Sequence, residues 1–312
     1  MENPFIYSDD NKRYHTFHYY LKHTYHSKVF KVPLNGGFTC PNRDGSKGIG
    51  GCSFCSALGS GDSVIQSEDL MEQFEKGKIM MQRKWPNGKA MAYFQAYTNT
   101  YGPLEKIKNC LDPFMQREDV VALCIATRAD CLEDETIQYL DSLCERKDIW
   151  VEVGLQTIHD STAKAMNRGH DVACFYDAIQ RLSKTRCKIC VHIINGLPYE
   201  TKEMMLETAK AVAKLPVHAI KIHMLHLLKN TQLAKEYEKK PFPILTRDEY
   251  VEIVCEQLTY LPQEMIIERL TGDGLAHDLI APIWTIKKVC VLNEIDKYMA
   301  SHNLMQGMNH TF

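Results

Sequence analysis

Short apolar segments alternate with amphipathic ones along almost the whole chain, and this most constrains the fold. Strand candidates span residues 29–34, 89–97, 119–127, 149–155, 188–195 and 217–225, with a weaker one at 265–270. Most are short and β-branched, as strands covered on both faces must be. Between them, 67–85, 103–115, 133–146, 171–186, 201–215 and 246–261 carry apolar residues at helical spacing or open with helix-starting residues. Such alternation predicts an α/β fold with a parallel sheet and right-handed crossovers, either a full or partial barrel or an open sheet. In a barrel, chemistry sits at the C-terminal strand ends. Those ends read Asn35-Gly36-Gly37, Thr98-Asn99-Thr100, Arg128-Ala129-Asp130, Gln156-Thr157 and Gly196-Leu197-Pro198, all polar or Gly-rich.

With 312 residues, one continuous domain is expected: an N-terminal extension over 1–28, the barrel over 29–245 and a strand/helix extension over 246–312. The longest apolar run, 120–126, is far too short to cross a bilayer, and the first residues lack the pattern of a signal peptide. A cytoplasmic protein with no membrane partner is expected. Disulfides are of little use in that compartment, so twelve cysteines raise the question of metal binding.

Cys40, Cys52 and Cys55 stand in the run GGFTCPNRDGSKGIGGCSFCSALGSGD, directly after the first strand candidate. Three thiolates suit a soft metal, and no fourth Cys or His follows within the loop. Three readings remain open on the residues alone: a metal centre with one free position, zinc completed by a distant histidine, or three thiols buried by chance, for which so Gly-rich and polar a loop is a poor place.

C-x11-C-x2-C with Phe54 before the last cysteine and Pro41 after the first resembles the radical SAM superfamily, in the subgroup of the Elongator catalytic subunit. The runs GLQTIHDSTAKAMNRGHD (154–171) and IINGLPYET (193–201) resemble further elements of that subgroup, with Tyr199 where glycine is usual. The resemblance implies a partial (β/α)6 TIM-like barrel of the radical SAM type with short terminal additions. It also implies one [4Fe-4S] cluster held by Cys40, Cys52 and Cys55, with S-adenosylmethionine on its fourth iron. Reductive cleavage of that cofactor yields a 5′-deoxyadenosyl radical. Cofactor-binding candidates are Phe54, Gln95, Thr98, Arg128, Glu152, Gln156, Arg168 and Gly196. Glu152, Gly154 and Gln156 share one strand face with Trp150. Glu152 has the alternative of an interior salt bridge, Arg128 that of pairing with Asp130, and Arg168 that of an exposed helix end.

Residues 11–43 carry six Lys or Arg, no Asp or Glu, and many aromatics. With a formal net charge of −2, this segment is +6 and the remainder −8. Such a segment suits looped RNA; the alternative is a terminal extension that packs its rings on the barrel. The polar run 268–284 places Glu268, Arg269 and Asp273 as substrate-side candidates near the barrel mouth. That run and 221–234 are similar to the bacterial MnmL (YtqA/YhcC-type) family. The similarity implies conversion of 5-carboxymethylaminomethyl-(2-thio)uridine to the 5-aminomethyl form at the tRNA wobble position. It also implies a tRNA anticodon partner, a flavodoxin or ferredoxin as electron donor, and a methyltransferase acting downstream. The same radical chemistry on a small metabolite, or a zinc-containing RNA-binding protein, are the rival functions. Cys187 and Cys190 are three apart in a strand and so face opposite sides. They are expected to be packing thiols, Cys131 to lie nearest the site, and no second cluster is expected.

Overall fold

The computed structural model describes residues 3–61, 63–272 and 276–311. Seven parallel strands form one sheet: β1 (Val29–Leu34), β2 (Lys89–Phe94), β3 (Val120–Arg128), β4 (Asp148–Gln156), β5 (Lys188–Asn195), β6 (Ala219–Met224) and β8 (Ile266–Arg269). Their spatial order follows the chain, β1-β2-β3-β4-β5-β6-β8, so the sheet is wound in one direction and curls into a partial barrel. β7 (Leu227–Leu228) and β9 (Leu279–Ala281) form a separate antiparallel ribbon.

The helices are α1 (Phe17–Tyr25), α2 (Leu70–Gln82), α3 (Leu104–Met115), α4 (Asp134–Leu143), α5 (Asp160–Ala165), α6 (Val172–Leu182), α7 (Lys202–Ala213), α8 (Gln232–Lys239), α9 (Arg247–Tyr260) and α10 (Lys288–Ser301). Short polar residues start many of them. Asp69, Asp171, Thr201 and Thr246 each accept a hydrogen bond from a first-turn backbone N–H, and Thr246 with Glu249 forms a reciprocal capping box.

Strand alternation sorts side chains into two cores. Val151, Val153 and Leu155 of β4 join the large core between sheet and helices. Trp150 points the other way, into the barrel's lower interior with Met91, Cys124, Cys190 and Ala219. Cys187 and Cys190 fall into opposite cores accordingly.

Helix α1 plugs the lower end. Phe17 and Tyr20 set their rings edge-on to Trp150, at 5.6 and 5.7 Å, and Leu21 is buried among the same residues. The aromatic N-terminal segment is therefore built into the barrel. Its charge is largely spent as well: Lys12 pairs with Asp296, Lys22 with Asp9, and Lys31 enters the interior. The C-terminal residues close the same end, where Gln306 accepts from His15 N and donates to the Met265 carbonyl.

Candidate active site

Above Trp150, β4 presents Glu152, then Gly154 and Gln156, and the barrel's interior becomes polar in that order. The first polar layer is an ion network. Glu152 Oε1 lies 2.6 Å from Lys31 Nζ, and its Oε2 takes His192 Nε2 at 3.0 Å together with Lys221. Glu268 Oε2 takes Lys31 at 2.8 Å and Lys221 at 3.1 Å. Burial opposes charge on Glu152, yet Lys221 and Lys31 hold its carboxyl well below the usual range. Glu152 is thus the salt-bridged interior residue of the two alternatives, with both oxygens engaged.

Over this layer lies a cavity of about 280 Å³ whose wall includes Cys40, Cys52 and Cys55. Their loop is tied down from several sides. Cys55 N donates to the Cys52 carbonyl at 2.9 Å, and Gly51 N to the Asn42 carbonyl at 2.7 Å. Ser53 N donates to the Met166 carbonyl, and Asn42 and Asn167 bond across to each other's segment. Gly50 and Gly51 both have φ of 83°, a left-handed conformation in which a side chain is strained.

The sulfurs meet donors. Arg168 Nη1 is 3.4 Å and Asn42 Nδ2 3.8 Å from Cys52 Sγ. Burial, then the neighbouring Cys52 sulfur, pushes the Cys55 thiol up to about 11, with Arg43 opposing. Among the described residues no three His, Cys, Asp or Glu side chains converge closely enough to hold one metal ion. The three thiols line one cavity wall instead, as ligands of separate irons in a cluster must.

Two arginines of the wall keep nitrogens in reserve. Arg128 clasps Asp130 through Nε and Nη2 at 2.9 and 3.0 Å, as the pairing alternative expected, but its Nη1 is buried without a partner. Arg168 is 5% exposed, not an exposed helix end; Nη2 donates to the Gly154 carbonyl at 2.7 Å and Nε is buried without a partner. Such donors suit an anionic group in the cavity. Gly154 keeps room there, because a Cβ would lie 2.8 Å from Gln156 Nε2. Ser60, Tyr97 and Gln156 line the cavity with positive φ, backbone strain of the kind that collects at functional sites.

Phe54, Gln95 and Thr98 also belong to this wall. Gly196 does not. Its left-handed turn packs beside Leu245 and Leu225, so it shapes the strand end from behind. Of the substrate-side candidates, Arg269 lines the cavity, whereas Glu268 lies in the ion network with a nearly unexposed side chain rather than at a mouth. Asp273 lies outside the described residues. Tyr199 has φ of 71° and an exposed side chain, so it keeps a glycine-like backbone without crowding the site. Cys131 is buried outside the cavity wall. Sequence reasoning missed Tyr93, His192, Lys221, His223 and His226, all in the wall. A signal existed for three of them: His192, Lys221 and His223 are polar residues at alternate positions of otherwise apolar strands.

The radical SAM superfamily profile matches residues 39–212, more than half of the chain. The chain belongs to the radical SAM superfamily. A radical SAM C-terminal domain profile matches residues 217–301 of the same chain. With the superfamily come its cofactors, a [4Fe-4S] cluster and S-adenosylmethionine, which the three thiols and the reserved arginine donors fit. YtqA of Bacillus subtilis is 50% identical over 308 residues, 98% of this chain and 96% of YtqA. A tRNA uridine(34) acetyltransferase of Methanocaldococcus infernus is 28% identical over 64% of this chain and 40% of its own. Among solved structures, Elp3 of M. infernus superposes with a TM-score of 0.68 at 21% identity, covering 90% of this chain and 64% of that one. This radical SAM enzyme therefore shares its fold with Elp3 and has relatives among tRNA-modifying enzymes. Among the described residues, no helix is long and apolar enough to cross a membrane.

Proposed function

We propose that this radical SAM enzyme acts on tRNA and converts 5-carboxymethylaminomethyl-(2-thio)uridine at the wobble position to its 5-aminomethyl form. The observation that carries the proposal is the similarity, over 64% of the chain, to a tRNA uridine(34) acetyltransferase. The site's charge supports it. The described cavity wall holds five cationic side chains, Arg43, Arg128, Arg168, Lys221 and Arg269, against one carboxylate, Glu152.

Cys40, Cys52 and Cys55 would hold the cluster, with Arg168 and Asn42 donating toward Cys52. When bound and reduced, cluster and S-adenosylmethionine supply a 5′-deoxyadenosyl radical. The unpartnered nitrogens of Arg128 and Arg168 would take the cofactor's carboxylate, which removes the cost of leaving buried donors unpaired. Gln95, Thr98 and Gln156 offer neutral oxygens to its amino and ribose groups. The plugged lower end and the ion network keep water from entering beneath the reacting atoms. The partners of this reading are the tRNA anticodon region, a flavodoxin or ferredoxin, and a methyltransferase that takes the product.

Mass spectrometry of tRNA nucleosides tests this directly. A strain lacking the gene should accumulate the carboxymethylaminomethyl nucleoside and lose the aminomethyl form and its methylated product. Unchanged wobble uridines would refute the RNA substrate.

A further inference from the structure

Three histidines from neighbouring strands and their ends line the cavity together. His192 comes from β5, His223 from β6, and His226 from just beyond it. The rings of His192 and His223 are 5.6 Å apart at 44°. His192 is committed, since its Nε2 meets Glu152 at 3.0 Å. His223 makes no side-chain hydrogen bond among the described residues although it lines the cavity. His226 Nε2 is buried and likewise has no partner. Burial, His192, Arg269 and Lys221 together hold His223 well below the usual histidine range, and burial and Lys288 bring His226 down to about 4. Both are neutral near pH 7, and each then offers one N–H.

The charged neighbours select the ligand. The cations facing His223 are Lys221 beneath it on the same strand and Arg269 on β8. The one carboxylate in the described wall is Glu152, and Lys31, Lys221 and His192 already occupy both its oxygens. Among the described residues a cationic ligand end would meet like charges and no free carboxylate, whereas an anionic end meets cations and unspent N–H donors.

We propose that His223, with His226 and Arg269, is the site that reads the carboxylate end of the substrate's side chain. This rests on the wobble-uridine reading and deepens it, because the substrate and the product of that reaction differ by that carboxylate-bearing group. The site therefore distinguishes substrate from product as well as from unmodified uridine. His223 is a specificity-determining contact.

The test uses the full chain, anaerobically reconstituted and loaded with S-adenosylmethionine, and three anticodon stem-loops. These carry 5-carboxymethylaminomethyluridine, the corresponding carboxamide, or unmodified uridine. Wild type should bind the acid about tenfold or more tighter than the amide. His223→Phe should abolish that preference, His223→Gln should keep part of it, and Arg269→Gln should reduce it. Should His223→Phe fail to fold, judged by iron content and circular dichroism, the glutamine variants carry the same comparison. If wild type binds acid and amide equally, or if the variants keep the full preference, yet the acid stem-loop is converted on reduction, the carboxylate site is wrong while the wobble-uridine reading stands. If the three stem-loops bind alike and none is converted, both fail together.

Discussion

Lys31 Nζ lies 2.6 Å from Glu152 Oε1, joining the first strand of the barrel to the fourth through its interior. The contact sits between an apolar plug and a polar cavity, and with Lys221 and Glu268 it forms a balanced set of two cations and two anions. Removing one member of such a set leaves uncompensated buried charge. Glu152→Ala should cost about 3–5 kcal/mol of unfolding free energy. Urea denaturation of the cluster-free protein measures it, and a loss below about 1 kcal/mol would show the network to be incidental.

The aromatic face of α1 packs on the barrel floor, with Phe17 and Tyr20 against Trp150. Replacing Leu21 by Ala removes a buried side chain from the plug and should cost about 2–5 kcal/mol. It should leave the salt dependence of tRNA binding unchanged, because no phosphate contact is lost. A shallower salt slope with undiminished stability would reverse the assignment.

Asp130 gives the protein an acid-sensitive joint. Burial raises its carboxyl pKa, but the Arg128 clasp outweighs burial and brings it from 3.8 to about 2. A depressed folded-state value contributes stability above the unfolded value, and this is lost as pH falls through the folded one. The stability gap between wild type and Asp130→Asn should therefore be constant near neutrality and close between about pH 4 and pH 2. A gap that stays constant down to pH 2 would mean that Arg128 does not hold the charge.

Arg168 tests the cofactor side. Arg168→Gln should weaken S-adenosylmethionine binding by about tenfold or more, since a charge-assisted contact is replaced by a neutral one. Equilibrium dialysis against the reconstituted protein reads this, with iron content as the control for the Cys52 contact. Unchanged affinity would release Arg168 from cofactor binding and leave it as a support for the cysteine loop.

Much of this architecture is legible in the residues, for identifiable reasons. The segments 29–34 and 188–195 match β1 and β5 end to end, because both are mostly apolar and β-branched and are bounded by polar or Gly-containing stretches, with Lys31 and His192 as interior exceptions. β2 ends at Phe94 rather than at 97, because Gln95 to Tyr97 leave the sheet and Tyr97 takes a φ of 60°. Helix α1 packs Phe17, Tyr20, Leu21 and Tyr25 inward at helical spacing, but aromatic and basic residues on its other faces hide that period in the sequence. The β7–β9 ribbon has strands of two and three residues, too short to leave a pattern. The cysteine loop is local and reads directly. The ion network does not, since Lys31 and Glu268 are 237 positions apart and only closure of the sheet brings them together.

The most direct measurement is the iron content and cofactor cleavage of the anaerobically reconstituted protein beside Cys40→Ala, Cys52→Ala and Cys55→Ala. Wild type should hold about four irons per chain and release 5′-deoxyadenosine when reduced with S-adenosylmethionine. Each variant should stay folded and lose both properties. A colourless wild type that holds one tightly bound zinc and releases no 5′-deoxyadenosine would contradict the account.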